Sequence, residues 1–233
     1  MLEARWRAGD PLNCPPVPTI RASYLAAADV AVRLLADTAV AQRWAAPSVL
    51  AGMPVSALAG HLARQVLGVE RLLAAGPAAE PPISLLDHYA RSAWTAAGPD
   101  DEANAAIRRD AAAEAAPGPA ALAARTADTA RRLSGVLASE PPDRVVLLPW
   151  GPWPLTLDDL LVSRLLEIAV HDDDLALSVG LPTPELPGDV TDLVLALLSR
   201  LAARRHGATA VIRALSRAER APPTIAAFWS SPG

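Results

Sequence analysis

Apolar residues recur along this chain at three- and four-residue steps, the spacing that lines one face of an α-helix. From Thr19 onward, Ile20, Leu25, Ala28, Val32, Leu35 and Trp44 mark a first long helix that ends before Pro47. Pro54 suits the first turn of a second, in which Val55, Leu58, Leu62, Val66, Val69 and Leu73 form a stripe fit for a bundle seam. After a connector from Gly76 to Pro82, Ile83, Leu86, Tyr89, Ala93 and Trp94 predict a third helical face. Pro99 opens a polar, alanine-rich helix that Pro117, Gly118 and Pro119 interrupt, and Ala123, Ala127, Ala130, Leu133 and Leu137 predict another after it. RVVLLPWGPWPLT is the one β signal, two short extended runs turning at Trp150, Gly151 and Pro152, enough for a minor hairpin.

The best-marked element runs from Leu157 to about Val179. Thr156 is its N-cap, Asp158 and Asp159 lie where the helix dipole favours negative charge, and Gly180 with Pro182 stops it. Apolar side chains cover most of its circumference, yet Arg164, Glu167, His171 and Asp174 share one stripe. A further helix, capped by Asp189 or Thr191, buries Leu193, Leu197, Leu198 and Leu201, and its last residues Arg204, Arg205 and His206 complement the dipole. Thr209 to Arg220 reads as a last basic helix, followed by an extended segment that packs through Ile225 and Phe228. Residues 1–18, with four prolines after position 10, read as an irregular arm. No repeat or second composition class divides residues 19–233, so they are expected to form a single all-α domain.

Composition agrees. Apolar residues make up 52% of the 233 positions, much of it alanine, with 4% aromatic, which favours helices packed closely through small side chains. A net charge of −4 without a basic tract argues against nucleic acid as the main partner. Every Lys or Arg position is arginine, a compositional bias rather than chemistry. The single Cys14 excludes an internal disulfide and the multi-cysteine zinc patterns, leaving nitrogen and oxygen donors for any metal. There is no signal-peptide core and no apolar run long enough to span a membrane, so the expected setting is the cytoplasm.

One turn apart on the same stripe, Glu167 and His171 bring their Cβ atoms to about 5–6 Å, within reach of one ion. Two readings compete. Arg164 with Glu167 and His171 with Asp174 can be weak pairs on a solvated face; alternatively Glu167 and His171 are two ligands of a metal, which needs a third donor from elsewhere. His61, one turn from Gln65 on the flank of the second helix, supplies that donor only if the two helices pack together. His88 falls off the apolar face of its helix and reads as a surface histidine, and His206 is explained by the dipole.

GHLARQ around His61, PWGPWPLTLDDLL from Pro149 and RLLEIAVHDDDLALSVG around Glu167 and His171 together resemble the mycothiol-dependent maleylpyruvate isomerase family, within the DinB-like group of metal-binding helical bundles. The likeness runs from about Ser23 to Phe228. It implies an up-and-down four-helix bundle with extra C-terminal helices, in which His61, Glu167 and His171 bind one divalent metal, zinc, and Asp174 orients a ligand or packs the helix. It also implies mycothiol as a thiol cosubstrate. Asp172 and Asp173 depart from the family pattern by adding negative charge near the site, and the tail is too short for the isomerase's further C-terminal α/β domain. The resulting expectation is a metal-dependent, thiol-using transferase or isomerase acting on a small electrophile. The alternatives are a non-catalytic metal-binding bundle that binds a ligand or senses stress, and a structural bundle without metal.

Overall fold

The computed structural model describes residues 19–95, 101–149, 151 and 153–228. The arm expected at residues 1–18 lies outside them, as do Trp150 and Pro152 of the expected turn. The protein is all-α with one minor hairpin. The helices are α1 (Ile20–Leu35), α2 (Thr38–Gln42), α3 (Val55–Ala74), α4 (Leu85–Arg91), α5 (Glu102–Ala115), α6 (Pro119–Ser139), α7 (Leu157–Val179), α8 (Gly188–His206) and α9 (Ala208–Ser216). Strands β1 (Val145–Leu147) and β2 (Pro154–Thr156) pair antiparallel, with Val146 opposite Leu155.

Four long helices make the bundle: α1 and α3 each pack against both α6 and α7. Helix α5 lies along α3, while α8 covers α7 and carries α9. The seam predicted for α3 is buried throughout, Val55, Leu58, Leu62, Val66, Val69 and Leu73 meeting Leu161, Leu165 and Ile168 of α7 in one core. Across the bundle, the Arg21 guanidinium of α1 donates to the carbonyls of Leu137 (2.9 Å), Glu140 (2.6 Å) and Pro141 (2.8 Å), satisfying the bare C-terminal end of α6.

Three helix boundaries differ from the sequence expectation, each for a local reason. The first helix stops at Leu35 because Asp37 accepts from the Ala39 backbone N–H at 2.8 Å and so starts a separate short helix. The third face is helical only over Leu85–Arg91, capped by Ser84, before a 3₁₀ turn at Ala93–Thr95. Helix α8 begins at Gly188 with no side-chain cap, and the Asp189 carboxylate instead accepts from the Ser23 hydroxyl of α1. By contrast α7 matches its prediction at both ends: Thr156 Oγ1 accepts from the Asp159 N–H at 3.0 Å, and Gly180 takes the left-handed conformation at φ 78°. The hairpin leads directly into that N-cap and fixes where α7 starts.

The approach of α5 to α3 depends on Gly60, where a Cβ would run into the Ala111 carbonyl oxygen. Gly68 on the same helix has open space. Gly60→Ala should therefore destabilise the fold by about 1–3 kcal/mol through overpacking, whereas Gly68→Ala should stabilise it by up to about 1 kcal/mol from helix propensity. Urea titration of the two variants beside the wild type checks the opposite signs.

Candidate metal centre

Helices α3 and α7 pack side by side, which turns His61 and Gln65 towards Arg164, Glu167 and His171. His61 Nε2 lies 3.2 Å from Glu167 Oε2, and His171 Nε2 lies 3.5 Å from the same oxygen. One donor atom from each of the three residues falls within 4.8 Å of the others. The imidazoles meet edge to face, with centroids 4.6 Å apart.

These separations fit a metal. With zinc bonds of about 2.0–2.2 Å, the donors of a tetrahedral site stand roughly 3.3–3.6 Å apart. The outer nitrogen of His171 is also engaged, Nδ1 lying 2.9 Å from Asp174 Oδ2. A carboxylate there holds the proton on Nδ1 and leaves Nε2 as the donor facing the other two residues. His61 is held differently: its Nδ1 is buried with no hydrogen-bond partner among the described residues. Gln65 braces it from one turn below, donating to the His61 carbonyl at 2.8 Å while its own oxygen accepts from Arg164 Nη1 at 2.7 Å. The Tyr24 hydroxyl of α1 donates to the Gln65 carbonyl at 3.0 Å and ties a third helix to this point.

The charges are mutually dependent. Burial pushes the Glu167 carboxyl up, but hydrogen bonds from His171 and His61, with the Arg164 charge nearby, hold it well below the usual carboxylate range. Burial lowers His171, yet its bonds to Asp174 and Glu167 more than compensate and raise its pKa to about 9. For His61, burial outweighs the Glu167 contact and the pKa falls. Without metal the site is thus a carboxylate between one charged and one neutral imidazole.

Neither surface pairing holds as a description of the stripe. His171 and Asp174 do pair, but with side chains only 17% and 20% exposed, and Arg164 reaches across to Gln65 on α3. His88 is not a surface residue: it is 2% exposed, because the hairpin folds over α4 and Trp153 Nε1 donates to His88 Nδ1 at 3.0 Å. Burial, then the Arg164 charge, depresses its pKa to about 4. The polar–apolar alternation of α4 carries no sign of this, because the covering residue comes from a segment 65 positions away. His206, at the end of α8, also contacts the Ala226 carbonyl at 2.9 Å, steadying the C-terminal segment. The two added aspartates behave differently from each other. Asp173 is exposed and accepts from the Thr183 hydroxyl, whereas Asp172 is 1% exposed, has no hydrogen-bond partner among the described residues, and is pushed by burial to a pKa of about 7.

Compared with known proteins, residues 25–176 match the family described as the mycothiol maleylpyruvate isomerase N-terminal domain. No curated protein and no solved structure matches the chain. The matched span contains His61, Glu167, His171 and Asp174.

His61→Ala, Glu167→Ala and His171→Ala should each lower metal affinity by tenfold or more while leaving the helical circular dichroism largely unchanged, since the leucine and alanine seams carry the packing. His88→Ala and His206→Ala should retain metal, and loss of metal from the His88 variant equal to that of the three would show that the wrong histidines have been chosen. The pH dependence follows from His171. A metal must displace its proton below a pKa of about 9, whereas His61 is already neutral. Affinity should therefore rise about tenfold per pH unit between pH 7 and 9 and level off above, a slope that isothermal titration across that range measures directly.

Proposed function

The chain belongs to the mycothiol maleylpyruvate isomerase N-terminal domain family, and on that premise we propose that it is a metal-dependent enzyme that uses a low-molecular-weight thiol, mycothiol, for S-transfer to, or isomerisation of, a small electrophile. The observation that carries this reading is the convergence of His61 Nε2, Glu167 Oε2 and His171 Nε2 from two helices, with Asp174 behind His171. Two imidazoles and one carboxylate form the donor set of catalytic zinc sites, which keep one position for an exchangeable ligand. A divalent cation bound there supplies the Lewis acidity that keeps a thiol in its reactive thiolate form at neutral pH.

The remaining work falls to the protein's own groups. Asp174 keeps the His171 proton on Nδ1, so that Nε2 stays available. Glu167 remains a carboxylate despite burial and supplies one negative charge to the donor set. Arg164, one turn earlier and fastened to Gln65, holds a positive charge beside the site, which favours an anionic sulfur over a neutral thiol. Burial raises the Asp172 carboxyl to a pKa of about 7, which lowers the negative charge it brings near the site. The partners on this reading are small molecules, and a reducing cytoplasm keeps the thiol free. Among the described residues no helix is long and apolar enough to cross a membrane.

Cobalt in place of zinc makes the fourth ligand visible. Titrating cobalt-loaded Cys14→Ser protein with mycothiol should produce a sulfur-to-metal charge-transfer band, and the oxidised disulfide should not, because only the reduced form offers a thiolate. A cobalt-loaded site that is unchanged across the titration would favour the non-catalytic, ligand-binding or stress-sensing bundle instead.

A further inference from the structure

The apolar residues of α9, Ala208, Val211, Ile212 and Leu215, are spaced to line one helical face. A helix held only by its own chain turns such a face onto its neighbour. Helix α9 packs on α8, yet the residues it withdraws from water are Val211 and, in part, Ala210 and Ala214. Its two largest apolar side chains stay outside, Ile212 64% and Leu215 71% exposed. The surroundings are basic: Arg213, Arg217 and Arg220 are exposed, as are Arg204 and Arg205 at the end of α8. Six of the 21 arginines lie between residues 200 and 220, where Glu219 is the sole acid, although the whole chain carries a net charge of −4.

A second exposed apolar face has the opposite charge. On α7, Val170 and Leu177 are two turns apart and so lie on one line, 41% and 61% exposed, with the exposed Asp173 between them. Val49, also exposed, joins the end of this line, its backbone N–H donating to Ser178 Oγ at 3.0 Å. Within one chain α9 packs on α8 and leaves this face of α7 open. Single exposed apolar side chains need no partner, but sets of them edged by one sign of charge mark an interaction surface. Like faces repel: α9 on α9 brings arginines together, and α7 on α7 brings together the Asp173 carboxylates. Opposite faces complement each other in both apolar surface and charge.

We propose that the protein pairs with a second copy of itself, the Ile212 and Leu215 face of α9 in each protomer docking on the Val170 and Leu177 face of α7 in its partner, with Arg213 and Arg217 meeting Asp173. One contact between a nine-residue helix and two turns of another falls short of the roughly 800 Å² per partner of a stable interface. Two such contacts related by a twofold axis cover both faces of each chain and close the assembly at two copies. Val170 and Asp173 flank His171 in sequence, so the incoming helix lands beside the candidate metal centre. Neither face contains one of its three donors, and the pairing needs neither metal nor thiol.

Sedimentation velocity of the full chain from about 1 to 200 µM should show a reversible monomer–dimer equilibrium. Asp173→Arg and Arg213→Asp should each weaken the dimer by about tenfold or more, and the two reversals in one chain should restore it to within about threefold of the wild type. Ile212→Ser with Leu215→Ser should weaken it while leaving the net charge and the helical circular dichroism unchanged. A wild-type chain that stays monomeric throughout overturns the pairing, and pelleting of that monomer with phosphatidylglycerol vesicles would assign α9 to an anionic lipid surface instead. Growth beyond two copies overturns it as well. So does a dimer that none of these substitutions weakens, or one that the combined reversal weakens as much as either single change.

Discussion

A carboxylate largely withdrawn from water between two helices, its side chain 15% exposed, is the constraint on which the site depends. Glu167 sits in the seam where α3 meets α7, and removing a carboxylate from water is costly unless opposite charge and hydrogen bonds replace the lost hydration. Both imidazoles face its Oε2, one from each helix. The geometry that satisfies the charge is also the geometry that places three donor atoms around one point. Packing and chemistry are thereby coupled: the leucine seam of α3 brings the helices together, and the position of Glu167 along α7 decides what meets there.

Much of the rest supports that meeting point. The hairpin fixes the first turn of α7 through Thr156 and sends Trp153, three residues earlier in the chain, over His88. Gln65 links the chain of contacts in both directions, accepting from Arg164, bracing the His61 carbonyl and receiving the Tyr24 hydroxyl on its own carbonyl. Beyond the Glu167 oxygen that both face, the two histidines are held unequally, His171 by the Asp174 carboxylate and His61 by Gln65, its helix neighbour. The bundle thus fixes one candidate donor through its outer nitrogen and the other through its backbone carbonyl.

The helices and the Glu167–His171 pair were legible in the sequence because both are local patterns. Heptad-like seams, the Thr156 cap and the Gly180 stop are written within a few residues of the elements they define, and α7 follows them at both ends. The spacing of Glu167 and His171 put two donors on one face, while His61 needed the packing of α3 on α7, which the buried stripe of α3 suggested and the family likeness supplied. What stayed hidden was non-local. His88 reads as exposed because its cover, Trp153, lies 65 residues away. Asp172 and Asp173 read together as added negative charge near the site, yet a 100° turn of the helix buries one and leaves the other exposed with Thr183. The short α2 and the bare start of α8 were misplaced because Asp37 caps its own neighbour and Asp189 is drawn to Ser23.

One divalent metal is expected where α3 meets α7. Anomalous diffraction above and below the zinc edge, from crystals of protein purified without added metal, locates such an ion directly. A single peak is expected about 2.0–2.2 Å from His61 Nε2, a Glu167 carboxylate oxygen and His171 Nε2. A peak at any other cluster, or a fully formed triad holding no metal after zinc is supplied, would contradict it.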